Sequence, residues 1–264
     1  GLLDPVSLPE LLLVTASVIA AAMLLLWLVS LLARDASIVD PFWGTAFVVV
    51  AWTAAVVVGA WDIHDLIVVG MVTVWGSRLS VYLLWRNLGK GEDYRYQAMR
   101  RRWGRRFWII SLGTVFLLQG LLVWVVSLPV QAAILAPGEP GLVTAAGLAL
   151  WSVGLIFETV GDAQLARFKA DPANAGKVMD RGLWRYTRHP NYFGDFCIWW
   201  GIYLAALDAS GTAWTVIGPL VMSYLLLRVS GVAMLERTIS KRRPGYEEYA
   251  GRTNAFFPGP TKKA

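Results

Sequence analysis

The sequence predicts an all-α integral membrane protein, a bundle of seven transmembrane helices, and three observations support this fold class. Of its 264 residues, 56% are hydrophobic and only 16% are charged, whereas soluble domains carry about 25% charged residues. Apolar stretches of about 20 residues, the length that crosses a bilayer, recur along the whole chain. The basic residues fall on alternate loops between these stretches.

Seven apolar segments are candidates for membrane spans. They cover residues 8–33, 42–61, 66–85, 107–128, 142–160, 192–207 and 214–235. Pro129 is expected to end the fourth, because proline has no backbone N–H to donate within a helix. The polar segment 161–190 separates the fifth from the sixth. We find no internal repeat and no soluble portion, so residues 1–264 are expected to form a single transmembrane domain.

Lysine and arginine are confined to one set of loops. Of the 24 Lys and Arg residues, only Arg78 and Arg228 fall inside predicted spans, and the other 22 follow spans one, three and five or lie in the tail. By the positive-inside rule these loops face the cytoplasm. We therefore expect the N-terminus outside and the C-terminus in the cytoplasm. The basic inner face suits anionic lipid or an anionic cofactor rather than nucleic acid.

Ionisable residues inside the spans favour a polar cavity. Arg78 and Arg228 lie near the cytoplasmic ends of their spans, from which each can also extend to the headgroups. Glu158 and Asp162 are four residues apart and share one helix face. Acids on other spans reach the same level, namely Asp40, Asp195 and Glu236. These groups can form structural ion pairs or line a cavity open to the cytoplasm, and the excess of positive charge favours the cavity.

The segment from Arg181 to Trp200, RGLWRYTRHPNYFGDFCIWW, concentrates functional side chains ahead of the sixth span. Pro190 is expected at or near the first helical position, where its missing N–H costs nothing, and His189 or Asn191 is placed to cap the helix. Free N–H groups and the positive end of the helix dipole attract an anion. The segment predicts a phosphate- or carboxylate-binding corner, although the same charges suit a headgroup anchor.

Several common kinds of site do not fit this sequence. His64 and His189 are the only histidines and lie on opposite predicted sides, so no metal site is expected. The motifs G-x-G-x-x-G and the P-loop are both missing from the sequence. The remaining kind of site is one that binds a phosphate-bearing molecule beside an apolar chamber, because the arginine guanidinium suits phosphates.

Three segments carry a resemblance to a known family. They are ETVGDAQL from Glu158, GLWRYTRHPNYFGD from Gly182, and the tail residues Pro244, Tyr246, Tyr249, Phe256, Phe257 and Pro258. Together they resemble the steroid 5-alpha-reductase family, most closely its bacterial membrane members, and RHPNY is also similar to sterol C14 and C7 reductases. The resemblance implies a seven-span bundle, NADPH on the cytoplasmic side, and reduction of an enone in a steroid-like substrate.

Positions that match the family are assigned to the cofactor site. They are Arg78, Tyr82, Glu158, Asp162, Arg181, Tyr186, Arg188, His189, Asn191, Tyr192, Asp195 and Arg228. Lys169 and Glu236 are further candidates for cofactor contact. His189 and Tyr192 belong to the sterol-reductase version of the motif. The resemblance weakens in spans two and three, where it rests on Asp40-Pro-x-Trp43 and on the spacing of Arg78 and Tyr82.

The resemblance implies that NADPH transfers hydride to the β-carbon of a conjugated ketone while a hydrogen-bond donor stabilises the developing enolate. Asp40, protonated by burial, or Tyr82 is the expected catalytic donor. The Gln-Glu pair of the eukaryotic enzymes is missing, and Trp75 stands near the position of their catalytic tyrosine. We expect a steroid-like or other lipophilic enone as substrate, surrounding membrane lipid, and a monomer in a bacterial inner membrane with its active site open to the cytoplasm.

Two rival functions remain. Isoprenylcysteine carboxyl and phospholipid methyltransferases also carry Arg-His-Pro-x-Tyr and a later acidic pair, for which Glu247 and Glu248 qualify, and they bind S-adenosylmethionine. S-adenosylmethionine carries no phosphate and does not need extra cations. The presence of Arg78 and Arg228 together with the acids of span five therefore favours NADPH. A transporter or lipid-binding scaffold is the third possibility, but no matched pair of broken helices supports it.

Overall fold

The computed structural model describes residues 5–59, 61–229 and 244–262. The α-helices in these ranges are α1 Leu8–Ala33, α2 Val39–Val58, α3 Ile63–Asn87, α4 Tyr94–Trp103, α5 Phe107–Ser111, α6 Leu118–Val126, α7 Leu128–Leu135, α8 Leu142–Ala170, α9 Pro190–Ala206, α10 Ile217–Tyr224 and α11 Tyr246–Arg252. Two π-helical segments, Leu112–Leu117 and Leu225–Val229, connect or continue them. Within the described ranges the regular structure is helical, apart from an isolated β-bridge between Gly138 and Ala209.

Five helical stretches in the described ranges are long and apolar enough to cross a membrane, which confirms an all-helical, multi-pass membrane protein. They are Leu8–Ala33, Ala36–Val58, Ile63–Asn87, Tyr94–Val126 and Leu142–Ala170. The sixth and seventh predicted spans correspond to the 17-residue helix Pro190–Ala206 and to the shorter apolar stretch Ala213–Val229. The count of seven spans therefore stays a prediction.

Two predicted boundaries were wrong. The helix of the fourth span already ends at Val126, and Pro129 lies in the first turn of α7, where a proline leaves no intrahelical bond unmade. The fifth span continues beyond residue 160 to Ala170, so the first part of the predicted polar segment is helical. That extension includes Asp162 and therefore decides which helix carries the candidate site.

The chain divides into two compact units. The first contains Gly1–Gly141 and Ala206–Gly218, and the second contains Leu142–Ala205 and Pro219–Ala264. Each is built from two separate segments of sequence. The prediction of one transmembrane domain is not decided by this division.

Close contact between α2 and α3 organises the first unit. A Cβ on Gly76 would lie 2.5 Å from the Gly44 carbonyl oxygen, so the two backbones touch. The Ser80 hydroxyl accepts hydrogen bonds from the Thr45 amide at 2.8 Å and the Thr45 hydroxyl at 2.9 Å. Backbone contact of this kind is typical of membrane helices, where packing and interhelical hydrogen bonds replace hydrophobic burial.

Glycine contacts also hold α8 against α9 in the second unit. A Cβ on Gly147 would lie 2.5 Å from the Gly201 carbonyl oxygen, and one on Gly154 would lie 2.5 Å from that of Gly194. Gly161, seven residues further along α8, faces Pro190 at the start of α9. The repeat therefore brings the two backbones together over the whole length of α9.

Candidate functional site

A buried acid pair lies at the α8–α9 contact. Glu158 is 4% exposed and Asp162 is 5% exposed, and because they are one helical turn apart both project from one face of α8. A Cβ on Gly194 would lie 2.6 Å from the Glu158 amide nitrogen. The glycine contact therefore places Glu158 directly against α9, beside the turn that carries the half-buried Asp195.

The start of α9 brings an amide to this acid pair. The helix begins at Pro190, as the sequence predicts. Asn191 follows, and its side-chain Nδ2 donates to Asp162 Oδ1 over a long 3.4 Å. Carboxyl groups and an amide in one buried place can exchange hydrogen bonds with the hydroxyl and amide groups of a polar ligand.

Two aromatic side chains stack beside the same helix start. His189 is buried, and its ring lies 5.6 Å from the Tyr192 ring with only 7° between the planes. Just before it in sequence, the Trp184 indole donates to the Gly161 carbonyl oxygen at 3.0 Å. Trp184 therefore ties the short 3₁₀ helix Gly182–Arg185 to the turn of α8 that carries Asp162.

Arg188 binds the C-terminal tail. Its guanidinium donates to the carbonyl oxygens of Ala250 at 2.7 Å and Thr253 at 3.1 Å, and its backbone amide donates to the Asn254 carbonyl at 2.9 Å. The neighbouring Thr187 hydroxyl donates to the Phe256 carbonyl at 2.7 Å. These bonds join the loop before α9 to the tail. The predicted contact between Arg188 and a cofactor stays a prediction.

Tyr249 strengthens the same junction from the tail side. Its hydroxyl donates to the Trp184 carbonyl oxygen. Burial raises the pKa of this hydroxyl well above its ordinary value, so it keeps its proton and remains a donor. The aromatic residues Phe256 and Phe257 pack against Phe193 and Phe196 of α9, with ring centroids 5.7 to 6.2 Å apart.

The remaining predicted residues of the second unit lie nearer the surface. Arg181 is exposed, with its guanidinium carbon 5.9 Å from the centre of the Phe168 ring. Tyr186 and Lys169 are exposed as well. Arg228 is exposed within the π-helical segment Leu225–Val229, and Glu236 lies outside the described residues.

In the first unit, Asp40 sits in a polar network that the sequence did not predict. The Tyr96 hydroxyl donates to Asp40 Oδ1 at 2.7 Å, and the Arg95 guanidinium pairs with Oδ2. Arg95 also binds Asp93 at 2.8 Å. This ion pair between Arg95 and Asp40 differs from the protonated Asp40 that the sequence analysis expected. The catalytic role of Asp40 stays a prediction.

Two further acids of this network lie in the loop before α4. Burial alone would raise the pKa of Glu92, but hydrogen bonds from Arg100 and from the Ala36 amide hold the pKa of that carboxyl below its usual value. Burial would also raise the pKa of Asp93, and bonds from Arg95 again lower it. Both groups thus stay ionised. Glu92 links Arg100 of α4 to the Ala36 amide in the turn between α1 and α2, and Asp93 caps the first turn of α4 by accepting from the Arg95 amide.

Arg78 and Tyr82 share a face of α3, as their spacing predicts. The Arg78 guanidinium carbon lies 5.2 Å from the centre of the Tyr82 ring, and that of Arg86 lies 5.9 Å from it. One ring thus meets two cations. Arg78, Val81, Tyr82 and Trp85 line an open groove on the first unit.

Comparison with known proteins places the chain in a family. Residues 26–253 match the family described as "Protein of unknown function (DUF1295)". The chain belongs to this family. The DUF1295 chain is also 26% identical to an uncharacterized protein of Schizosaccharomyces pombe over 88% of its own length and 75% of that protein.

A second relative of this chain is described by an activity. It is a probable O-methyltransferase of Ustilaginoidea virens, 42% identical over 55 residues, which cover 21% of this chain and 19% of that protein. No solved structure matches the chain. The resemblance to steroid 5-alpha-reductases stays a prediction.

Sequence reasoning missed several polar residues of this DUF1295 protein. Arg95 and Tyr96 were not predicted as partners of Asp40, to which they bind across 55 and 56 residues. Arg185 and Arg252 were not among the predicted site residues. A search for cations next to the predicted motif would have found Arg185, but no local pattern indicates the pairing of Arg252 with Asp180.

Proposed function

We propose that this chain is a membrane-embedded reductase that uses NADPH to saturate a carbon–carbon double bond conjugated to a ketone in a steroid-like lipid. The observation that carries the proposal is the buried pair Glu158 and Asp162, with Asn191 on the adjoining helix. Carboxylates and an amide suit the ribose hydroxyls and the carboxamide of a nicotinamide nucleotide. The resemblance of the surrounding motifs supplies the reaction class.

The proposed topology has seven spans, with the N-terminus outside and the C-terminus in the cytoplasm. The confinement of Lys and Arg to alternate loops supports it. On this topology the acid pair is reached from the cytoplasm, where NADPH is available, and the lipid substrate enters from the bilayer of a bacterial inner membrane. We further propose that the protein acts as a monomer.

The main task of the protein in this reaction would be to place the nicotinamide against the substrate. When bound, NADPH would supply the hydride for the β-carbon, and protonation of the resulting enolate at its α-carbon would complete the saturation of one double bond for each NADPH oxidised. This chain's residues would hold the nucleotide and keep water away. Tyr82 and Asp40 stay the predicted groups for polarising the ketone, with Tyr96 next to Asp40 as part of the same network.

The decisive experiment follows the absorbance of NADPH in a mixture of detergent-purified protein, NADPH and progesterone. We expect progesterone-dependent oxidation that Asp162→Asn reduces at least tenfold. Glu139→Gln, which removes an exposed acid from a turn, is the matched control and is expected to retain activity. Absence of NADPH binding by the unmodified protein would overturn the proposal.

The second candidate is an S-adenosylmethionine-dependent methyltransferase of the isoprenylcysteine carboxyl or phospholipid type. The partial match to a probable O-methyltransferase favours it. Glu247 and Glu248, the acidic pair that it would use, are exposed on α11. Calorimetric titration with S-adenosylmethionine and with NADPH, under identical conditions, separates the two candidates. The reductase is expected to bind NADPH, which carries phosphates, and the methyltransferase is expected to bind S-adenosylmethionine, which carries none.

A further inference from the structure

A basic cleft opens between the loop before α9 and the C-terminal tail. Its volume is about 550 Å³, and four cations lie in its walls, namely Arg181, Arg185, Arg252 and Lys262. Asp180 is the acid among the lining residues, and it pairs with Arg252 at 2.7 Å. The lining therefore carries a clear excess of positive charge.

The walls of the cleft are fixed in position before any ligand binds. The Lys262 amide donates to the Arg252 carbonyl at 2.9 Å, and the Gly259 amide donates to the Tyr186 carbonyl at 3.1 Å. The Thr253 hydroxyl reaches the Arg185 carbonyl at 3.5 Å. A surface that only attracts headgroups needs no such construction, because long basic side chains reach the interface by themselves.

The side-chain charges of two of these cations have no salt-bridge partner in the described part of the chain. Arg252 is held by Asp180, and Arg181 lies over the Phe168 ring. By contrast, no carboxylate among residues 5–59, 61–229 and 244–262 forms a salt bridge with Arg185 or with the Lys262 ammonium group. Exposed cations that converge on a cleft without an acid partner are typical of anion recognition.

The cleft adjoins the acid pair through Trp184. Gly182 in the cleft wall packs against Gln164 of α8, and Trp184 two residues later bonds to the Gly161 carbonyl next to Asp162. A ligand with hydroxyl or amide groups at the acids and an anion at one end would therefore fit this part of the second unit.

We propose that this cleft binds a phosphate ester. The arginine fork donates two parallel hydrogen bonds to phosphate oxygens and remains charged at every physiological pH, and the Thr261 hydroxyl in the wall adds a neutral donor. The phosphate can belong to a nucleotide, a source that rests on the proposed function, or to an anionic lipid headgroup. The cleft residues Arg185, Arg252, Thr261 and Lys262 were not part of the predicted cofactor site.

The test compares two double variants in purified, detergent-solubilised protein. Arg185→Gln with Lys262→Gln removes two cleft charges, and Arg105→Gln with Arg106→Gln removes two exposed charges from the other unit. Each protein is titrated with adenosine 2′,5′-bisphosphate and with adenosine. Equal melting temperatures of the two double variants without ligand establish that both are folded. If the cleft double variant melts at a lower temperature than the control, the single variant Arg185→Gln is used in its place.

We expect the cleft variant to bind adenosine 2′,5′-bisphosphate at least tenfold more weakly than the unmodified protein does, and to bind adenosine with unchanged affinity. The control variant should bind both ligands as the unmodified protein does. In a parallel arm, phosphatidylglycerol or phosphatidylcholine is added and thermal stabilisation is measured. A loss confined to phosphatidylglycerol assigns the phosphate to a lipid. The proposal is overturned if the cleft variant matches the control with both phosphate probes. Failure of progesterone-dependent NADPH oxidation would count against the proposed function alone.

Discussion

The Tyr96 hydroxyl donates a hydrogen bond to Asp40 at 2.7 Å, across 56 residues of sequence. This bond joins α4 to the first turn of α2, next to the ion pair between Arg95 and Asp40. A hydrogen bond to a charged acceptor contributes about 1.5–3 kcal/mol. The pair therefore matters for the stability of the first unit, whatever its part in catalysis.

Tyr96→Phe is expected to destabilise the protein by about 1.5–3 kcal/mol, because the change removes one donor from a largely buried carboxylate. Thermal unfolding in detergent measures the effect. Tyr224→Phe removes a hydroxyl from an exposed tyrosine and serves as the control, with little change expected. Equal melting temperatures for both variants would show that the Asp40 bond contributes nothing to stability.

Gly154→Ala is expected to destabilise the second unit by about 1–3 kcal/mol, the usual cost of overpacking. The added Cβ would lie 2.5 Å from the Gly194 carbonyl oxygen, so α8 and α9 must separate. Gly70→Ala places the same methyl group on α3 where nothing lies within 4 Å. That control should be neutral or slightly stabilising, since alanine favours helix more than glycine does.

The same glycine variant should also affect ligand binding, because Glu158 lies against Gly194. NADPH affinity, measured on the folded fraction at low temperature, is expected to fall in Gly154→Ala and to be retained in Gly70→Ala. An unaltered affinity in Gly154→Ala would separate the α8–α9 contact from the nucleotide site.

Arg188→Ala is expected to weaken NADPH binding and to expose the tail to protease at the same time. Its guanidinium donates to two tail carbonyls, those of Ala250 and Thr253, and a lysine cannot bridge them with the same planar geometry. Arg188→Lys should therefore give a partial defect. Limited proteolysis, read by mass spectrometry, would contradict this account if tail cleavage stayed at the wild-type level in Arg188→Ala.

Stability should depend on pH through Glu92. The pKa of its carboxyl is lowered from the ordinary value of 4.5 in the folded protein, so the folded state favours the ionised form. Its contribution is present above the unfolded pKa and is lost as the pH falls through the folded pKa. We expect Glu92→Gln to melt below wild type at pH 7, with the difference shrinking at acidic pH below about 4.5. A constant difference would contradict this linkage.

Hydropathy and spacing predicted several local features of the fold, whereas the assignment of residues to a cofactor site stays a prediction. The first helix, the start of α9 at Pro190, and the common face of Glu158 and Asp162 all follow from local pattern. The sequence did not reveal the glycine contacts, because hydropathy does not show which glycines of two helices will meet. It also missed the ion pair between Arg95 and Asp40, which depends on how distant loops fold together.

The junction between the loop before α9 and the tail makes two distant segments a single element of the second unit. Hydrogen bonds link residues 62 to 72 positions apart, from Arg188 to Ala250 and from Arg252 to Asp180. Neither segment can leave without breaking bonds to the other. Backbone amides on both sides should consequently exchange with deuterium at similar rates, and a nucleotide that protects one side should protect the other to the same degree.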